Sequence, residues 1–126
     1  MNSYLLLILL FVCHWLADFS WLSTKWMLDA KAKGSPWYPI LVHSFVHGTL
    51  MGIVLLFCLY PNIIISYLIL FQVGSHFLID VWKGKMNVWF PVLQNDKNKL
   101  HWVVMGFDQL LHGIVIITMV WFIYGK

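Results

Sequence analysis

A chain of 126 residues that is 61% hydrophobic, 17% aromatic and 10% charged, with mean hydropathy +0.80, lies outside the range of soluble domains. Its formal charge of +3 comes from lysine alone, because the sequence contains neither arginine nor glutamate. The lysines fall between apolar stretches, which reads as membrane topology; nucleic acid is excluded as a partner, and no nucleotide motif appears.

The expected fold is all-α, an integral membrane four-helix bundle in a single domain, with spans at about 4–21, 38–60, 62–82 and 102–124. Helices are favoured because every backbone N–H and C=O in hydrocarbon needs a partner within its own segment, and four strands cannot close a barrel. The first stretch has no basic leader and no small-residue cleavage site, so a cleaved signal peptide is not expected. Cys13 and Cys58 sit in different apolar stretches without metal-type spacing and read as small buried residues.

The connection after the first span carries Lys25, Lys31 and Lys33 against Asp29, and Gly34-Ser35-Pro36 should end a helix running through Trp26 and Met27. Pro61-Asn62 is the expected corner of a hairpin between the second and third spans. The third connection carries Lys83, Lys85, Lys97 and Lys99 against Asp96. These two connections share one side and hold seven of the eight lysines, so that side is expected to be cytoplasmic and both termini non-cytoplasmic. Trp21, Trp26, Trp37, Trp82, Trp89 and Trp102 fall at the same boundary, as an interfacial aromatic belt does.

The chemistry lies in the polar residues within the spans, each costing a few kcal/mol to insert. They form four pairs with i, i+4 spacing: His14 with Asp18, His43 with His47, His76 with Asp80, and Asp108 with His112. Residues four apart share one helix face, so each span presents two ligand-type groups in one direction. At about 1.5 Å per residue, all eight are expected roughly 5 to 17 Å below the cytoplasmic surface. Five imidazoles and three carboxylates at one depth are a ligand set for one or two divalent transition-metal ions. Hydrogen-bonded helix contacts explain any one pair as well, and a His/Asp proton relay is a further alternative. Gln109 reads equally as an orienting group or an interhelical contact, Lys83 as a snorkelling lysine, and His101 as a surface histidine outside the site. Gly48, Gly52, Gly74, Gly106 and Gly113 read as close-packing positions.

The motifs HWLADF at His14, HSFVH at His43, HFLIDVWK at His76 and DQLLH at Asp108 cover nearly the whole chain. With them the chain resembles the bacterial membrane proteins grouped as domain of unknown function 3307. The resemblance implies a small helical inner-membrane protein whose shared feature is these eight residues, and it supplies no activity. A glutamine commonly follows that family's first aspartate about one turn later, where this chain has Leu22. The motif style is also similar to putative membrane-bound metal-dependent hydrolases and to the histidine boxes of membrane di-iron oxidases.

The expected function is a membrane-embedded metal-dependent hydrolase acting on a lipid or lipid-linked substrate from the cytoplasmic leaflet. His14, His43, His47, His76 and His112 are the main expected ligands, and Asp18, Asp80 and Asp108 are expected to ligate, bridge or serve as general base. Zinc suits this set, with manganese or iron credible for a bridged pair. The rivals are a divalent-cation or proton carrier or channel, and a structural subunit held by the same network within a homo-oligomer or membrane complex.

Overall fold

The computed structural model describes residues 2–59 and 63–125, so the expected corner at Pro61-Asn62 lies outside the described residues. The described residues form helices α1 (Ser3–Phe19), α2 (Lys25–Lys33), α3 (Trp37–Cys58), α4 (Ile63–Trp89) and α5 (Lys99–Tyr124), with a short 3-10 turn at Pro91–Gln94 and no strand among them. The chain is all-helical.

Local chemistry sets several of the helix ends. The Asn2 side chain accepts from the Tyr4 N–H, Thr24 from Met27, and Asn98 from Leu100, each satisfying an otherwise orphaned donor in a first turn. α2 ends at Gly34, whose φ of 66° places it in the left-handed region that favours glycine. α4 continues to Trp89, past the boundary expected at 82, because Lys83 and Lys85 end an apolar stretch without ending the backbone ladder. Pro91 disfavours helical backbone at Phe90 and does end it. α5 likewise starts at Lys99, three residues before the expected 102.

α3, α4 and α5 are long and apolar enough to cross a membrane. α1 has 17 residues, about 25 Å of helix against a hydrocarbon core of about 30 Å. α1 packs on α3 and α5, α3 packs on α4, and α4 packs on α5, so these helices enclose one interior.

That interior has two tiers. At one end Leu6, Leu10, Met51, Leu55, Ile116 and Met119 are fully buried in an apolar cluster. At the other end the buried histidines and aspartates lie with Ala17, Met27, Ala30 and Ile40, and α2 packs against α3 and α4 there. The α3–α4 contact depends on small residues. A Cβ on Gly48 would sit 2.4 Å from Val73 Cγ2, and one on Gly52 would sit 2.9 Å from Ile69 Cδ1. The packing expected at Gly74 and Gly106 is absent, since a Cβ there meets nothing within 4 Å, and Gly113 makes only ordinary contact with Phe11.

Candidate metal centre

The i, i+4 spacing on each of α1, α3, α4 and α5 turns a pair of ligand-type side chains toward the polar tier, and the structure brings all eight together. His14, His43, His47, His76, Asp80, Asp108 and His112 are buried, and the Asp18 side chain is 4% exposed. Ligand atoms within 4.8 Å of one another form three overlapping groups: Asp18, His43, His47 and His76; His14, His76 and His112; and Asp80, Asp108 and His112.

The first group is the tightest. Asp18 Oδ1 lies 2.9 Å from His43 Nε2 and 3.2 Å from His47 Nε2, and the two nitrogens are themselves 3.2 Å apart. With Asp18 ionised, no placement of the ring protons turns all three contacts into hydrogen bonds. If both rings donate to the carboxylate, their N–H groups face each other; if one accepts, its lone pair faces the carboxylate's. The second half of the site is similar. His76 Nε2 lies 3.2 Å from Asp80 Oδ2, and His112 Nε2 lies 3.4 Å from both Asp80 Oδ1 and Asp108 Oδ1. His76 Nε2, His112 Nε2, Asp80 Oδ2 and Asp108 Oδ1 nevertheless have no aligned hydrogen-bond partner among the described residues. Ligands about 2.0–2.1 Å from a tetrahedral zinc ion are about 3.3 Å from one another. The separations of 3.2–3.4 Å around Asp80 and Asp108 are compatible with that spacing, and those of 2.9–3.2 Å around Asp18 are also hydrogen-bond distances.

The imidazoles are held mainly by packing. The His47 and His76 rings stack with centroids 3.6 Å apart, and those of His76 and His112 with centroids 4.2 Å apart. The Nδ1 atoms of His14, His43, His47 and His76 have no partner among the described residues, so no outer hydrogen bond fixes these rings.

The structure adds residues that spacing alone did not assign. Lys31, read from sequence only as a topology lysine, reaches from α2 into the cluster. Its Nζ lies 3.0 Å from Asp18 Oδ1, 3.4 Å from Asp80 Oδ2 and 3.1 Å from His43 Nε2. Burial works against its charge, but Asp80 and Asp18 outweigh that and hold its pKa above the ordinary lysine value. Lys83 pairs with Asp108 at 3.2 Å, so it is part of the site rather than a lysine snorkelling into water. Gln109 ties the ends of the cluster, its Nε2 donating to Asp108 Oδ2 at 3.1 Å and its Oε1 lying 3.3 Å from His14 Nε2. His101 touches none of the eight; its Nδ1 lies 2.6 Å from the Leu93 carbonyl oxygen, yet its ring lines the cavity that leads to them.

That cavity, about 250 Å³, has Asp18, Asp80 and Asp108 in its lining beside Lys31 and Lys83. The only signal that could have placed Lys31 here was the amphipathic helix before Gly34, whose docking direction the sequence does not encode locally.

No curated protein and no solved structure matches this chain. Residues 6–126 match the family described as "Protein of unknown function (DUF3307)", and over essentially its whole length the chain belongs to that family.

Proposed function

We propose that the chain is a four-helix bundle of the bacterial inner membrane, with α1, α3, α4 and α5 as its spans, and that it is a metal-dependent hydrolase. Its substrate is a lipid or lipid-linked group reaching the site from the cytoplasmic leaflet. The observation that supports the metal is the convergence of eight ligand-type side chains in which His76 Nε2, His112 Nε2, Asp80 Oδ2 and Asp108 Oδ1 find no aligned hydrogen-bond partner among the described residues. The His and Asp donors suit zinc, and manganese or iron if two ions share the carboxylates.

A bound divalent ion supplies a water of lowered pKa inside a site that is otherwise dry. Asp18 is grouped with three histidines, whereas Asp80 and Asp108 share only His112, which leaves that half of the site open for a water and a general base. Asp108 also borders the cavity, and with Asp80 it is the candidate for that proton transfer. The apolar tier of Leu6, Leu10, Met51, Leu55, Ile116 and Met119 supports a pocket open at one end over a carrier, which needs access from both sides.

The test is metal content per chain after purification in mild detergent, by plasma mass spectrometry, beside the His43→Ala/His47→Ala variant. About one or two equivalents in the native chain, lost in the variant, is the expected result. Absence of stoichiometric metal from the native chain after ions are added back would overturn the reading.

A further inference from the structure

The cavity that holds the three carboxylates carries cationic and polar side chains among apolar ones. Lys31 comes from α2 and Lys83 from α4, with side chains 18% and 24% exposed, and Asn87, His101 and Gln109 complete the polar lining. Among the described residues, Asp18, Asp80 and Asp108 are the acidic ones that line the cavity. Phe19, Leu28, Ala32, Leu93, Val104 and Met105 form the apolar part of the lining.

Charge balance restricts what such a site can take. Three carboxylates against two ammoniums leave one net negative charge when the imidazoles are neutral. One divalent ion reverses that sign, and two make the site strongly positive. A substrate that brings negative charge offsets the excess positive charge around the metal. Carboxylates that ligate metal also hold their lysines less firmly, freeing N–H groups on Lys31 and Lys83 for an incoming anion. Lysine binds phosphate as a point charge, and two lysines from different helices facing one cavity are a fitting arrangement for its several oxygens.

Size restricts the substrate further. A volume of about 250 Å³ is below the span of drug-sized pockets, roughly 300 to 1,000 Å³. It admits a head group and leaves an acyl or isoprenoid tail outside. The exposed apolar surfaces of Trp26 and Leu28 on α2 and of Trp89 and Phe90 flank that end of the molecule.

Resting on the metal-dependent reading above, we propose that the mouth formed by Lys31 and Lys83 is a phosphate subsite and that the bond hydrolysed is a phosphoester of an amphiphile. Water adds its oxygen to phosphorus. The P–O bond to the alcohol breaks, with its electron pair remaining on the leaving oxygen. The proton released by water ends on that oxygen, so the products are the alcohol and inorganic phosphate.

The test loads the purified full chain with zinc, measures metal content on each sample, and titrates it calorimetrically with inorganic phosphate and with dodecyl phosphate. Both are expected to bind the native protein. Lys83→Met should weaken both by roughly tenfold or more, as the loss of one charge-assisted hydrogen bond does, with metal content unchanged. Lys83→Arg should recover most of the affinity, and Lys97→Met, the same change at an exposed residue, should have no effect. Tighter binding of dodecyl phosphate marks a lipid head group as the source, and equal binding marks a soluble phosphate ester. A metal-loaded protein that binds neither probe, or that binds both unchanged in Lys83→Met, overturns the substrate class and leaves the metal reading standing. A chain that retains no zinc overturns both.

Discussion

The backbones of Gly34 and Gly84 lie in direct contact: a Cβ on Gly84 would fall 2.1 Å from Gly34 N and 2.5 Å from the Lys31 carbonyl oxygen. That approach is what lets α2 lie against α4 closely enough for Lys31 to reach Asp18 and Asp80. Gly84→Ala should therefore push α2 away and lower stability by about 1–3 kcal/mol, the range for overpacking a tight contact. Gly106→Ala, where a Cβ meets nothing within 4 Å, should be neutral or gain up to about 1 kcal/mol from helix propensity. Thermal unfolding of the two variants in one detergent gives the comparison, and equal losses would show that the glycine contact does not hold α2.

Lys31 occupies the region a bound cation would claim, so its removal should act in opposite directions on two measurements. In the metal-free protein Lys31→Met leaves Asp18 and Asp80, whose side chains are 4% and 1% exposed, without their ammonium partner. Losing one partner of a buried ion pair costs about 3–5 kcal/mol, reduced somewhat here because the histidines still face both carboxylates. The same change removes a competing cation and should tighten zinc binding by roughly tenfold, about 1.4 kcal/mol. Unfolding of the apo protein and competition against a fluorescent zinc chelator read the two effects. A fall in both stability and metal affinity would mean that Lys31 supports the ligand geometry instead of competing with the ion.

The α3–α4 seam offers a test of steric complementarity independent of the metal. Gly48→Ala should destabilise by about 1–3 kcal/mol because its Cβ would press on Val73 Cγ2 at 2.4 Å. Val73→Ala removes that atom, and the double variant should recover part of the loss. A double-mutant cycle with no coupling would place the strain elsewhere.

How far these features were legible in the sequence depended on whether their cause was local. The eight ligand-type residues could be read because i, i+4 spacing is itself the geometry that puts two side chains on one helix face. Gly48 and Gly52 read in sequence no differently from Gly74 and Gly106, and only the structure separates the tight α3–α4 contacts from glycines that face open space. Lys31 was not legible. In sequence it is one of several lysines beside an apolar stretch, and its role arises from Gly34 meeting Gly84, fifty residues further along the chain. The end of α4 was misplaced because hydropathy reports where apolar residues stop, while the backbone ladder runs on until Pro91.

Orientation can be checked directly. In a background with Cys13 and Cys58 replaced by serine, Lys97→Cys places a thiol at an exposed residue just before α5. A membrane-impermeant maleimide should label it in inside-out vesicles and leave it unlabelled in right-side-out ones. The reverse pattern would invert the topology and move the pocket to the opposite leaflet.

The polar tier draws on α1, α3, α4 and α5 in turn, from His14 near the beginning of the chain to His112 near its end. During synthesis some of these groups are made well before a partner. Asp80 is built before His112, and His14 long before Gln109. A nascent chain halted ahead of α5 therefore lacks the His112 and Gln109 partners of Asp80 and His14. The polar tier is therefore completed only when α5 packs against α1 and α4.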